Sequence, residues 1–188
     1  VIVINLFGGP DSGKTTQATG IFHAMKKDGM NVEIVNEFAK MCVWEKNFEM
    51  LEDQLYVMAK QNRSVLRLEG QVDICITDSP ILLSGIYRDA YGTPRYSDLI
   101  DQVALECFNR NDNINFMMKR SEKQYKQDGR AQDLIGAKEI DNKLYKMLER
   151  QNLPFCHLLA DDKSIDVAYK YIKRWLIKYG IYHPINKA

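Results

Sequence analysis

Gly8-Gly9-Pro10-Asp11-Ser12-Gly13-Lys14-Thr15 is the stretch from which the rest of the chain is read. It fits G-x-x-x-x-G-K-[ST] at every fixed position. Its flanks agree with the pattern. Val1 to Phe7 is a β-branched apolar run that reads as a buried strand, closed by Gly8-Gly9-Pro10. From Lys14 to Lys27 the apolar positions Ala18, Ile21, Phe22 and Met25 recur at helical spacing. In a strand–loop–helix unit of this kind, small residues let backbone N–H groups wrap phosphates, and the helix N-terminus presents a positive dipole end. Gly9, Pro10, Asp11, Ser12, Gly13, Lys14, Thr15 and Thr16 are the expected nucleotide-binding residues. Lys14 reaches the outer phosphates, and the Thr15 hydroxyl is placed to ligate Mg²⁺. The bland alternative is a chance Gly-rich turn between a strand and a helix.

Outward from the loop, strand and helix signals alternate. Asp28-Gly29 closes the first helix, and Val32 to Val35 is a second strand. Residues 37–45 predict a short helix. Met50 to Leu68 predicts one long helix, with Leu51, Leu55, Met58 and Leu66 on one side. Val72 to Thr77 is a third strand, and Asp78-Ser79-Pro80 is expected to open the next helix with an N-cap and an early proline. Beyond a polar connection at Ala90 to Tyr96 come a helix from Ser97 to Phe108 and a strand from Ile114 to Met118. Ser121 to Asp133 lacks an apolar stripe. A helix at Leu134 to Gln151, a strand at Phe155 to Leu159 and a last helix at Ser164 to Tyr179 follow. This alternation specifies an α/β domain, a parallel sheet with helices on both faces. With 188 residues, no repeat and no low-complexity linker, one domain over 1–188 is expected.

Composition narrows the function class. The hydrophobic fraction is 45%, and 26 Lys plus Arg face 25 Asp plus Glu, for a net charge of +1. That balance describes a globular chain and argues against non-specific coating of nucleic acid, while leaving room for a local basic cleft. No apolar run approaches the roughly 18 residues of a membrane helix, and Val1 to Phe7 lacks a signal peptide's basic n-region. A cytoplasmic protein without a membrane partner is expected. Cys42, Cys75, Cys107 and Cys156 show no paired metal-ligand spacing and read as reduced thiols, with Cys75 and Cys156 as small buried hydrophobes. His23, His157 and His183 share no ligand spacing.

Several further residues carry candidate chemistry. Asp78 ends the third strand, at the sheet edge where ligands of open α/β sheets lie, so it can hold the metal together with Thr15, cap the following helix, or do both. Glu37 follows the second strand at the same rim. It stands where a general base for an attacking hydroxyl belongs, or it is simply an acid favourable to a helix N-terminus. Arg120 and Arg130, the latter in Gly129-Arg130-Ala131-Gln132, suit a lid over about 120–133 that brings guanidinium charge to a transferring phosphoryl group; a solvated loop is the alternative. Lys119, Lys123 and Lys126 are less specific. Arg88 and Arg95 suit an anionic substrate or lie on the surface. Trp44, Phe48 and Tyr56 can stack on a planar base in an acceptor pocket, or belong to the core.

With these residues in this order, the chain resembles the small P-loop kinases that include nucleoside, nucleotide and nicotinamide-riboside kinase domains. It looks most like compact P-loop proteins of tailed bacteriophages. The resemblance covers nearly the whole chain. It implies a three-layer fold with a five-stranded sheet in order 2-3-1-4-5, ATP with Mg²⁺, and a lid near 120–133. Asn36-Glu37-Phe38-Ala39-Lys40 and Thr77-Asp78-Ser79-Pro80 are similar to a phage branch that phosphorylates 5-hydroxymethyluracil in DNA. The expected reaction is transfer of the ATP γ-phosphoryl group to a hydroxyl of a nucleoside-like acceptor, free or as a modified base in DNA. Lys14, Glu37, Asp78 and Arg130 are its catalytic candidates, Glu37 or Asp78 taking the proton, and Glu37, Trp44 and Arg88 face the acceptor. DNA as acceptor would require base exposure and clustered cations among Arg88, Arg95, Lys119 and Lys123. Nucleoside kinases usually follow the acid after the third strand with arginine; here Ser79-Pro80 stands, so that substrate contact is not carried over. Thymidylate kinases place an acid where Pro10 stands. The rival class is an ATPase switch acting through a protein partner; a GTPase is disfavoured because no N-K-x-D pattern is present. The oligomeric state is left open.

Overall fold

The computed structural model describes residues 1–91, 97–121 and 133–182. Five strands, β1 (Ile2–Phe7), β2 (Val32–Val35), β3 (Ile74–Thr77), β4 (Asp112–Lys119) and β5 (Cys156–Leu159), form one parallel sheet in the order β2-β3-β1-β4-β5. This is the order that the resemblance implies. The central strand β1 pairs Asn5 with Thr77 on one side and Asn115 on the other.

Strand alternation divides the core in two. Ile2, Ile4 and Leu6 of β1, with Ile114, Phe116 and Met118 of β4, face α1 (Lys14–Lys27) and α8 (Asp162–Lys178), whose Ala18, Ile21, Met25, Ala168, Ile172 and Leu176 are buried against them. The opposite face carries Phe7 and Met117. It packs on α4 (Gln54–Leu66), α5 (Leu83–Tyr91), α6 (Ser97–Asn109) and α7 (Leu134–Arg150), through residues such as Met58, Leu83, Ala104 and Leu144. Each fully buried side chain of this size contributes about 1.5–3 kcal/mol, so the two faces together anchor the strand ends from which the site loops spring. Asn5 interrupts the apolar run on the second face. It is buried, and its amide donates to Asn113 and Asn115 at 2.8 and 3.0 Å, which satisfies a group that would otherwise be costly there.

Three expectations are corrected. The predicted long helix at 50–68 is two helices, α3 (Phe48–Glu52) and α4, because Asn47 and Asp53 each cap a new start by accepting the Met50 and Tyr56 N–H groups. Leu55 therefore faces outward, and the buried side of α4 is Gln54, Val57, Met58 and Gln61. The third strand is followed by a turn, and α5 begins at Leu83. Asp78 thus lies five residues upstream and does not cap that helix. Cys75 is fully buried, but Cys156 is only half-buried, near the open edge at β5; none of the four cysteines forms a disulfide. Among the described residues, no helix is long and apolar enough to cross a membrane.

Candidate nucleotide and acceptor site

The end of β1 delivers the chain into loop 8–13, and α1 starts at Lys14. The loop needs unusual backbone. Asp11 has φ 56° and Gly13 φ 88°. A Cβ on Gly13 would stand 2.7 Å from the Ala160 methyl, so glycine is demanded there by both conformation and space. Lys14 is buried, and its Nζ donates to the carbonyls of Gly8 and Gly9 at 2.7 and 2.9 Å. Burial holds its pKa below the usual lysine value; Glu37, Asp78 and Asp141 oppose that shift, and Arg120 adds to it.

Thr15 Oγ1 donates to Asp78 Oδ2 at 2.5 Å, which joins the start of α1 to the end of β3. Asp78 is buried, and its other oxygen, Oδ1, has no hydrogen-bond partner among the described residues. A hydroxyl beside a buried carboxylate with an unsatisfied oxygen fits a hard divalent cation. Among the described residues, no group of three or more His, Cys, Asp or Glu side chains gathers to hold a metal. A hydroxyl and one carboxylate suit an ion that takes most of its oxygens from phosphate and water, the habit of Mg²⁺.

The loop forms one wall of a cavity of about 380 Å³, with Pro10 to Thr16 all lining it. Across from them stand Glu37, Lys40, Gln54, Gln61, Ser84 and Tyr87, with Val43, Leu51, Val57 and Leu83 between. Glu37 occupies the N-cap position of α2 (Phe38–Trp44) without making a side-chain capping bond. Gln61 spans the gap between the two acids. Its Oε1 accepts from the Phe38 N–H beside Glu37, and its Nε2 donates to Thr77 Oγ1 beside Asp78, both at 3.3 Å.

Lys14, Thr15 and Glu37 are thus brought to one cavity, and Asp78 lies just behind its wall, bonded to Thr15. Trp44 does not join them. It is 64% exposed and outside the cavity wall, because α2 lines the cavity with Ala39, Lys40 and Val43; Phe48 of α3 and Tyr56 of α4 also lie outside that wall. Tyr87 supplies the aromatic wall instead. Arg88 is buried, and its guanidinium donates to Asp101 of α6 at 2.9 Å, so it clasps α5 to α6 and does not line the cavity. Arg120 also departs from its expected place. Its donors engage Asp141 Oδ2, the Pro10 carbonyl and the Ala137 carbonyl, which makes it a brace behind the loop. Lys119 is exposed at the end of β4. Arg95, Lys123, Lys126, Arg130 and most of the proposed lid lie outside the described residues.

Sequence reasoning missed Gln54, Gln61, Tyr87 and Asp141. Gln54 and Gln61 did carry a signal, as polar residues at helical spacing beside the buried Val57 and Met58. Asp141 carried none.

A parallel sheet in this order, with a phosphate-type loop closing its central strand and an acid on the next, defines a P-loop α/β protein of the nucleotide-binding type. More narrowly, the chain belongs to the AAA domain family, whose pattern matches residues 3–163. A search of curated proteins finds no match in sequence. Of the 109 chains of known structure that match, one is the NadR protein, solved in complex with NR. It superposes with a TM-score of 0.66 at 16% identity, over 90% of this chain. The likeness is one of fold, and the present chain spans about half, 51%, of the NadR chain.

Proposed function

We propose that the protein is an ATP-dependent phosphotransferase that moves the γ-phosphoryl group to a hydroxyl of a nucleoside-like acceptor. The observation that carries this reading is the continuity of the cavity. The phosphate loop and an opposing wall with an acid, an aromatic ring and two buried amides enclose the same space. Such a wall is what an acceptor needs and a simple hydrolase does not. In this reading the loop amides and Lys14 hold the phosphates and spread the charge that develops on the transferring group. Mg²⁺, held at Thr15 and Asp78, would supply charge neutralisation for the phosphate oxygens. Glu37 takes the proton of the acceptor hydroxyl as its oxygen bonds to the γ-phosphorus and the bond to ADP breaks. Gln61 keeps Glu37 and Asp78 in register. Tyr87 and the amides of Gln54 and Gln61 receive a planar base with hydrogen-bonding edges.

The specific acceptor implied by the resemblance is the hydroxymethyl group of 5-hydroxymethyluracil in DNA, a base that must leave the stack to enter a cavity of this kind. The test uses γ-labelled ATP and Mg²⁺ against two pools: free nucleosides and nucleotides, and DNA oligomers carrying thymine or 5-hydroxymethyluracil. Label in the modified DNA supports the DNA-base reading, and label in a free nucleoside supports a metabolic kinase. Phosphate released without transfer to either pool overturns the phosphotransferase reading in favour of an ATPase, the alternative that AAA-family membership favours.

A further inference from the structure

Two charged residues behind the phosphate loop, both distant from it in sequence, close on its Gly8–Gly9 and Pro10–Asp11 peptide groups. Asp141, from the middle of α7, accepts the Gly9 N–H at Oδ1 and the Arg120 Nε–H at Oδ2, each at 2.6 Å. Arg120, just past β4, donates in turn to the Pro10 carbonyl at 2.7 Å and the Ala137 carbonyl at 3.3 Å. Both side chains are largely buried, at 15% and 18% exposure. Contact between α7 and the loop is close enough that a Cβ on Gly9 would stand 2.5 Å from the Ala137 oxygen. On its inner side the same stretch is held by Lys14, through the Gly8 and Gly9 carbonyls.

We propose that Arg120 and Asp141 form a neutral strut that sets the shape of the phosphate loop, Asp141 being a positioning residue for phosphoryl transfer. The inference rests on the phosphotransferase reading. The strut takes up the Gly9 N–H, and Pro10 has none, so neither residue offers an amide to a phosphate. A preorganised row of donors is worth most when charge develops in the transition state, because it need not reorganise at that moment. The pair itself brings no net charge to the site, as a positioning device should. Removing Asp141 removes the anchor of Gly9 and leaves a largely buried guanidinium unpaired.

The experiment compares Asp141→Ala, Asp141→Asn, Arg120→Ala and the double variant Arg120→Ala/Asp141→Ala with the parent chain. Transfer from labelled ATP is measured with the two acceptor pools above, ATP binding with Mg²⁺ by calorimetry, and folding by circular dichroism melting. Asp28→Asn, which weakens a comparable ion pair with Lys173 at the far end of α1, is the control for general stability. Asp141→Ala and Arg120→Ala are each expected to lower kcat about 10²-fold while the ATP dissociation constant changes less than about threefold, the split expected for loss of preorganisation. The double variant should be no slower than either single one, since the two residues act as one unit. Asp141→Asn keeps an acceptor for Gly9 but sets an amide N–H₂ against the Arg120 Nε–H, so it should melt below the parent and remain slow. Additive losses, restoration of kcat by Asp141→Asn, or an equal loss in Asp28→Asn would overturn the strut. If the parent chain transfers no phosphoryl group, the phosphotransferase reading fails and the strut falls with it; transfer by the parent with unaffected variants sinks the strut alone.

Discussion

Lys14 donates to two carbonyls of its own loop while three carboxylates, Glu37, Asp78 and Asp141, act on it from around the site. Desolvation is the larger influence and depresses its pKa, so the ammonium is kept by the surrounding oxygens at a cost to the fold. A bound polyphosphate would offer better partners than carbonyls do, since charge-assisted hydrogen bonds are roughly twice as strong as neutral ones. On the phosphotransferase reading, Lys14→Ala should therefore lower turnover by at least about 10²-fold, the effect of deleting one preorganised donor. Near-normal turnover in that variant would sink the assignment. At the same scale, the exposed Trp44 and the braced Arg88 show how little residue type alone says about direction. Both have the chemistry of a substrate contact, and both are turned elsewhere by their helices.

Among the elements, the break between α3 and α4 has the clearest consequence for the site. Asp53 is the cap that starts α4, and the next residue, Gln54, already lines the cavity; Gln61 follows two turns on. Asp53→Ala should destabilise the protein by about 1 kcal/mol, the usual value of such a cap. For a chain of this length that is a fall in Tm of about 2–4 °C, which thermal melting would resolve. An unchanged melt would mean that tertiary packing alone holds the start of α4. The expectation of one long helix failed because apolar spacing continues across the break, whereas the two caps act on single N–H groups and leave no periodic trace.

For the whole molecule, ligand and pH are the two handles. If ATP with Mg²⁺ binds the folded chain alone, a concentration one hundred times Kd adds about 2.7 kcal/mol, which corresponds to a rise in Tm of about 5–10 °C. Lys14→Ala should abolish most of that rise, and an equal rise without Mg²⁺ would argue against the cation at Thr15 and Asp78. At high pH the titrating groups oppose one another. Burial pushes the Cys75 thiol up to about 12, and burial with the Asp28 hydrogen bond pushes Tyr169 up to about 12. The unfolded chain releases these protons first, near 9.0 and 10.0, so stability falls as pH climbs toward 12. Lys173, raised by Asp28, adds to the loss. Lys14, depressed by burial, acts the other way until its unfolded value of 10.5 is passed. Denaturant unfolding across pH 8–12 should accordingly show its steepest loss above about 10.5, shallower in Cys75→Ala. Whatever is local or periodic could be read from the residues alone: the phosphate loop between strand and helix, the alternation that builds a parallel sheet, and the acids at the strand ends. Each of these follows from the conformational limits of neighbouring residues or from a repeat of two or 3.6. That Asp141 meets Gly9 across 132 positions, that Gln61 links the two acids and that Trp44 faces outward emerge only in the folded molecule. Those outcomes depend on how helices are docked and rotated on the sheet, through long-range packing that no short stretch of residues encodes.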